Sequence, residues 1–162
     1  MEEEIVAALR IIESHIERVA LVYANGSSEQ HTRIPKARIA DQDNPIPLRS
    51  LGEGMVRLFG LALALVNTRD GLFLIDEIES GLHYSVQPDV WRLVFRLAQR
   101  LNIQVFATTH SWDCVEAFQF VTGSHPDEGQ LIRLGRNHDD VIATLFDEQE
   151  LAIITRDHIE VR

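Results

Sequence analysis

Apolar and polar positions follow two different periods along this chain, and the periods mark out its elements. In residues 2–14 the apolar Ile5, Ala8, Leu9 and Ile12 recur at helical spacing, which predicts an amphipathic helix. Residues 17–23 read as a strand, stopped by the turn cluster Asn25, Gly26, Ser27 and Ser28. A second short strand is expected over 32–39, broken by Pro35. Residues 41–47 make a polar, proline-containing connector, and the pattern changes after it.

Residues 52–68 are apolar almost throughout, with Met55, Val56, Leu58, Phe59, Leu61, Leu63 and Leu65. A helix apolar on every side is a buried one. The run Leu72, Phe73, Leu74, Ile75 ends on Asp76 and suits a central parallel strand. Residues 88–101 carry Trp91, Val94, Phe95, Ala98 and Leu101 on one helical face, and Arg92, Arg96 and Arg100 on another. A β-rich run over 103–109 ends on His110, and 111–121 reads as a further helix. Residues 130–134 and 141–146 form a hairpin turned at 135–140. Asp147 and Glu150 then have capping-box spacing for a last short helix. The centre is β–α–β–α, an α/β fold with right-handed crossovers and antiparallel edge strands.

Composition narrows the function. The 162 residues suffice for one domain with a real core, and 45% hydrophobic with 25% charged residues is a globular profile. No apolar run reaches membrane-spanning length, and the N-terminus is acidic where a secretory signal starts basic. The cytoplasm is therefore the expected address. The single cysteine, Cys114, permits no internal disulfide and no cysteine zinc cluster. A net charge of −10 argues against a free-standing nucleic-acid binder. The Arg92, Arg96, Arg100 stripe reads as a solvated helix face, Trp91 and Cys114 read as packing, and His125 and His138 carry no metal assignment.

The chemistry concentrates where strands end. An apolar strand stopping on Asp76 and Glu77 places two carboxylates at the carboxyl edge of a sheet, where α/β ligand sites lie. In a nucleoside triphosphatase the first such carboxylate holds Mg²⁺ and the second orients or polarises the attacking water. Ser80, Gly81, Leu82 and His83 follow at once as a tight loop. A neighbouring parallel strand ending on Thr108, Thr109, His110 and Ser111 brings His110 to the same edge, where a histidine can contact a γ-phosphate. Gly52 and Gly54 open the buried helix, and glycines at a helix start let backbone N–H groups approach an anion. A helix start also tolerates an added side chain, so Gly54 is expected to accept one without loss of fold.

Together these residues resemble the C-terminal half of an ABC-type ATPase head, in the OLD, RecF and SMC-like group often labelled bacterial AAA-type ATPases. In that resemblance Leu51 to Arg57 stands at the signature motif, Leu72 to Glu77 at Walker B, Ser80 to His83 at the D-loop and Thr109 to Ser111 at the switch-histidine loop. It implies a P-loop NTPase-like, mostly parallel sheet flanked by helices. It implies ATP and Mg²⁺ as cofactors, with Asp76 on the metal and Glu77 and His110 catalytic. Gly52, Gly54, Arg57, Ser80 and Gly81 are then nucleotide-binding. It divides one half-domain, residues 1–162, into an N-terminal helix and strands (1–47), a motif-bearing core (48–122) and a C-terminal hairpin with a short helix (123–162).

The sequence departs from the pattern in three places. Gly52 stands where the signature has a serine, Glu53 adds a carboxylate where a phosphate should be received, and no Gly-x-x-x-x-Gly-Lys-Ser/Thr loop occurs to cradle the β- and γ-phosphates. The resemblance therefore implies a partner: an N-terminal, Walker A-bearing half of the same ATPase. It also implies an ATP-dependent homodimer of completed heads and, by family analogy alone, a nuclease or DNA partner. The alternative is a non-catalytic interaction module derived from such a head.

Overall fold

The computed structural model describes residues 2–23, 33–125, 127–138 and 140–157; the turn cluster at 25–28 lies outside the described residues. Helix α1 (Glu2–Leu9) begins with Glu2, Glu3 and Glu4, where the helix dipole favours negative charge, and buries Ile5, Val6, Ala8 and Leu9. It is shorter than the periodicity predicts because the chain doubles back. Arg10 Nε donates to the Ile16 carbonyl at 2.7 Å, and the amides of Ile11 and Ile12 turn to the carbonyls of Ala8 and Leu9.

Strands β1 (Ile16–Tyr23), β2 (Arg33–Ile39) and β3 (Ile46–Pro47) form an antiparallel sheet in that order. Pro35 does not break β2, since Leu21 pairs with it across β1. Strand β3 reaches only Lys36 and Ala37, so Pro35 sits where one side of β2 is open, the setting a strand proline tolerates.

A 3₁₀ turn, Leu48–Leu51, leads into α2 (Glu53–Val66), which buries Met55, Leu58, Phe59, Leu61, Ala62 and Leu65. Val56 and Gly60 are exposed, so the helix is buried on most but not all of its circumference. Strand β4 (Leu72–Ile75), α3 (Gln87–Leu101), β5 (Gln104–Ala107) and α4 (Trp112–Thr122) follow. Strands β4 and β5 are parallel and in direct register from Leu72 opposite Gln104 to Ile75 opposite Ala107. The core gathers Leu9, Ile16, Leu48, Met55, Leu58, Leu65, Leu93 and Leu97 among its fully buried side chains.

The fold is α/β, with a parallel sheet, antiparallel strands and flanking helices. The antiparallel strands make sheets of their own rather than edges of the parallel one, and β4 is hydrogen-bonded on one side only among the described strands. One face of the pair is open: Leu72, Leu74 and Phe106 are 54%, 68% and 51% exposed.

Trp91 and Cys114 are buried, and the indole Nε1 donates to the Cys114 carbonyl at 3.2 Å. Arg92 pairs with Asp89 and Arg100 with Glu4, as an ion-paired surface face does. Strands β6 (Leu131–Asn137) and β7 (Asp140–Phe146) form the hairpin, whose ladder continues through Gly135 opposite Ile142 to Asn137 opposite Asp140. The turn is thus tighter than 135–140. Helix α5 (Glu148–Arg156) starts with the expected capping box: Asp147 accepts from the Glu150 N–H at 2.8 Å, and Glu150 accepts from the Asp147 N–H at 3.1 Å.

Candidate functional site

The register of the parallel pair builds the site. Because Ile75 lies opposite Ala107, the next residues on each chain, Asp76 and Thr108, leave the sheet side by side. Thr108 binds the other segment four ways. Its N–H donates to the Ile75 carbonyl at 2.9 Å and its carbonyl accepts from Ile78 at 3.1 Å. Its hydroxyl donates to Asp76 Oδ1 at 2.6 Å and accepts from the Glu77 N–H at 2.9 Å. Asp76 therefore presents a fixed, exposed carboxylate with a second oxygen to spare.

Glu77 sits at φ +48°, in the left-handed region that a side-chain-bearing residue enters at a cost. Besides the Thr108 hydroxyl on its N–H, two groups hold it there by its carbonyl. The Ser80 N–H donates to its carbonyl at 2.9 Å. Arg57 Nη2, reaching from α2, lies 3.1 Å from the carbonyl oxygens of both Asp76 and Glu77. Arg57, assigned from sequence to the nucleotide, is in this structure engaged with the main chain of the carboxylate turn.

The start of α2 packs on the loop after that turn. A side chain at Gly54 would place its Cβ 3.1 Å from the Gly81 carbonyl oxygen, with Ile12 and Leu82 close behind. The expectation that Gly54 accepts a side chain is thereby narrowed: the constraint is contact with Gly81, not backbone conformation, and an added Cβ needs that neighbour to give by a few tenths of an ångström. Gly52 has the opposite character. Open space surrounds its missing side chain, but φ +104° requires glycine. Gly81 likewise has φ +73°. His83 accepts the Ser85 N–H at Nδ1 and so caps the short helical turn Tyr84–Val86.

His110 enters the site through its main chain, its N–H donating to Glu79 Oε1 at 3.1 Å. Ser111 caps α4 by accepting from the Cys114 N–H. The sequence-predicted Asp76, Glu77, Ser80, Gly81, Gly54 and Arg57 thus gather around the carboxyl end of β4, with the His110 loop tied to the same turn. Gly52 stands at the mouth of α2. Sequence reasoning missed Thr108 and Glu79 as site residues. Thr108 had only its place at the end of a strand-like run, since its register with β4 is not written in the sequence, and Glu79 had only its place beside two other acids.

Among the described residues no group of three or more His, Cys, Asp or Glu side chains converges on a metal position. Among the described residues no helix is long and apolar enough to cross a membrane.

The two parallel strands are joined by a helix, with paired carboxylates at one strand end and the His110 loop at the next. Solved structures share this fold. The chain superposes with a TM-score of 0.66 and 12% identity on an SMC ATPase studied for ATP-driven dimerisation and DNA-stimulated activation, over 99% of this chain and 92% of that one. With an SMC head bound to the C-terminal winged-helix domain of ScpA it reaches 0.61 at 12% identity, over 90% and 42%. At such identity the likeness is one of fold.

Residues 9–113 match the family described as "AAA domain, putative AbiEii toxin, Type IV TA system", and the chain belongs to that family. It is 27% identical over 95 residues to an uncharacterised protein of Methanocaldococcus jannaschii, covering 59% of this chain and 83% of that protein. To an ATP/GTP phosphatase of Helicobacter pylori it is 29% identical over 84 residues, 50% of this chain and 23% of that protein. The chain is thus an AAA-family, ATPase-like domain with the fold of an SMC ATPase head, and it matches less than a quarter of the phosphatase's length.

Proposed function

We propose that this chain, residues 1–162, is the C-terminal half of an ATPase head that binds and hydrolyses Mg·ATP once a Walker A-bearing polypeptide completes it. The observation that carries this reading is the carboxylate turn, in which Thr108 and Arg57 hold Asp76 and a left-handed Glu77 at the end of a parallel strand. Asp76 serves as the Walker B metal ligand. Glu77 accepts a proton from, or orients, the attacking water, and His110 lies on the switch loop. Gly52, Gly54, Ser80 and Gly81 line the approach by which the N–H groups at the start of α2 meet a phosphate. Mg²⁺, when bound, supplies charge neutralisation for the transferring phosphoryl group.

The open sheet supports the need for a completing half. Parallel sheets are ordinarily covered on both faces, and an isolated two-stranded pair is marginal. Here Leu72, Leu74 and Phe106 face outward. ATP-driven dimerisation, described for the similar SMC ATPase, is carried over as the expected behaviour of two completed heads; the cytoplasmic address and a DNA or nuclease partner rest on composition and family analogy alone. Reconstitution with the Walker A-bearing polypeptide, followed by an assay for Mg²⁺-dependent phosphate release, tests the reading. A stable complex that releases no phosphate from ATP overturns it.

A further inference from the structure

Glu79 belongs to none of the motifs discussed above, yet its carboxylate crosses between the two strand ends. It leaves the turn after β4 and accepts the His110 N–H at 3.1 Å through Oε1. Its other oxygen, Oε2, is buried with no hydrogen-bond partner among the described residues. The same carboxylate lies close enough to Cys114, in the first turn of α4, to add to the burial that pushes that thiol upward. A buried acceptor left unpaired costs stability, so the side chain is held where geometry, rather than full hydrogen bonding, is gained.

What is gained lies beyond the sheet. The four bonds of Thr108 stop at that residue, and the chain then leaves β5 to reach the Ser111 cap of α4. The Glu79 carboxylate is the next tie between the two segments. We propose that Glu79 is a positioning residue that fixes the His110 loop relative to the Asp76–Glu77 turn by holding the His110 main chain. Its meaning for His110 rests on the ATPase reading, but the tie exists in this chain without nucleotide.

Amide hydrogen exchange and proton shifts of the full chain, recorded by NMR without nucleotide, test it. In Glu79→Ala the His110 amide should exchange about tenfold faster or more, the scale set by losing a hydrogen bond to a charged acceptor, and its proton should move upfield. The Thr108 amide, held by Ile75, should keep its protection. Glu79→Gln offers an acceptor of the same reach and should restore most of the effect. Glu79→Asp is too short to reach and repeats the test if the alanine variant does not fold. A His110 amide unchanged by both shortened variants overturns the proposal, as does a loss shared equally by Thr108 or a glutamine that restores nothing. Failure of the ATPase reading would leave every one of these measurements in place.

Discussion

Arg57 holds Glu77 by its main chain: the guanidinium Nη2 lies 3.1 Å from the Glu77 carbonyl oxygen and bridges to that of Asp76. The residue so held has φ +48°, a conformation that costs a side-chain-bearing residue ~1–2 kcal/mol and glycine almost nothing. Glu77→Gly should therefore raise stability, by about 0.5–1 kcal/mol after the extra freedom of glycine in the unfolded chain is offset. Chemical denaturation of the two chains measures this. A destabilised glycine variant would show that the Glu77 side chain stabilises the turn and that no strain is stored there.

The same residue is expected to matter differently in the assembled enzyme. Glu77→Gln keeps the size of the side chain but accepts no proton, so nucleotide binding should persist while turnover drops by ~10²–10⁴-fold. Asp76→Asn should instead weaken the dependence on Mg²⁺. Calorimetry with Mg·ATP and a phosphate-release assay separate the two. Wild-type turnover in the glutamine variant would remove Glu77 from the water-orienting role.

Thr108→Val tests the lock itself. The swap keeps the shape of the side chain but deletes the hydroxyl that donates to Asp76 and accepts from Glu77. Loss of these bonds, one of them to a charged partner, should cost ~1–3 kcal/mol and lower the melting temperature by several degrees. A valine variant that melts with the wild type would mean that Arg57 and Ser80 hold the turn unaided.

These residues also show where the sequence was legible. Leu72 to Ile75 read as a strand because four consecutive apolar residues are halted by two acids, and the strand runs between those bounds. The capping box at Asp147 and Glu150 was readable because it is local chemistry. Thr108 and Glu79 were not. Their partners lie 32 and 31 positions away, and only the register of β4 on β5 brings them together. The early end of α1 was hidden for a similar reason: Ile12 fits the helical period, but the bond from Arg10 to Ile16 turns the chain.

Cys114 gives a pH-dependent prediction. Burial, the largest cause, raises its thiol above the ordinary range, with Glu79 and Asp113 adding to the shift and hydrogen bonds from Thr109 and Trp91 opposing it. Below the ordinary thiol range, about pH 8.5, the group is neutral folded or unfolded and adds no pH dependence. Above it the unfolded chain ionises first, so stability should fall as pH rises. Denaturation midpoints between pH 7 and 10 should decline more steeply for the wild type than for Cys114→Val. Equal slopes would contradict the shift.

Gly54 carries the last prediction, because the role of α2 in meeting a phosphate depends on how its first turn is packed. The Gly81 carbonyl oxygen stands 3.1 Å from the position of an added Cβ, with Ile12 Cδ1 at 3.4 Å and Leu82 Cδ2 at 3.7 Å. A large side chain must displace main chain as well as flexible side chains, so Gly54→Trp should cost ~1–3 kcal/mol as an overpacked site does. That loss would obscure any separate effect on dimerisation. Gly54→Ala is the cleaner probe. Its gain in helix propensity, about 1 kcal/mol, opposes a crowding that a few tenths of an ångström of movement relieves, so its melting temperature should stay near that of the wild type. If the phosphate approaches beside Gly54, the alanine methyl and the shifted Gly81 loop should still weaken ATP-dependent dimerisation of the assembled protein. Light scattering with and without ATP, beside a thermal melt of each variant, reads both effects. A tryptophan variant that melts with the wild type would refute the packing of Gly54 on Gly81. An alanine variant that dimerises with unchanged ATP dependence would remove Gly54 from the nucleotide site.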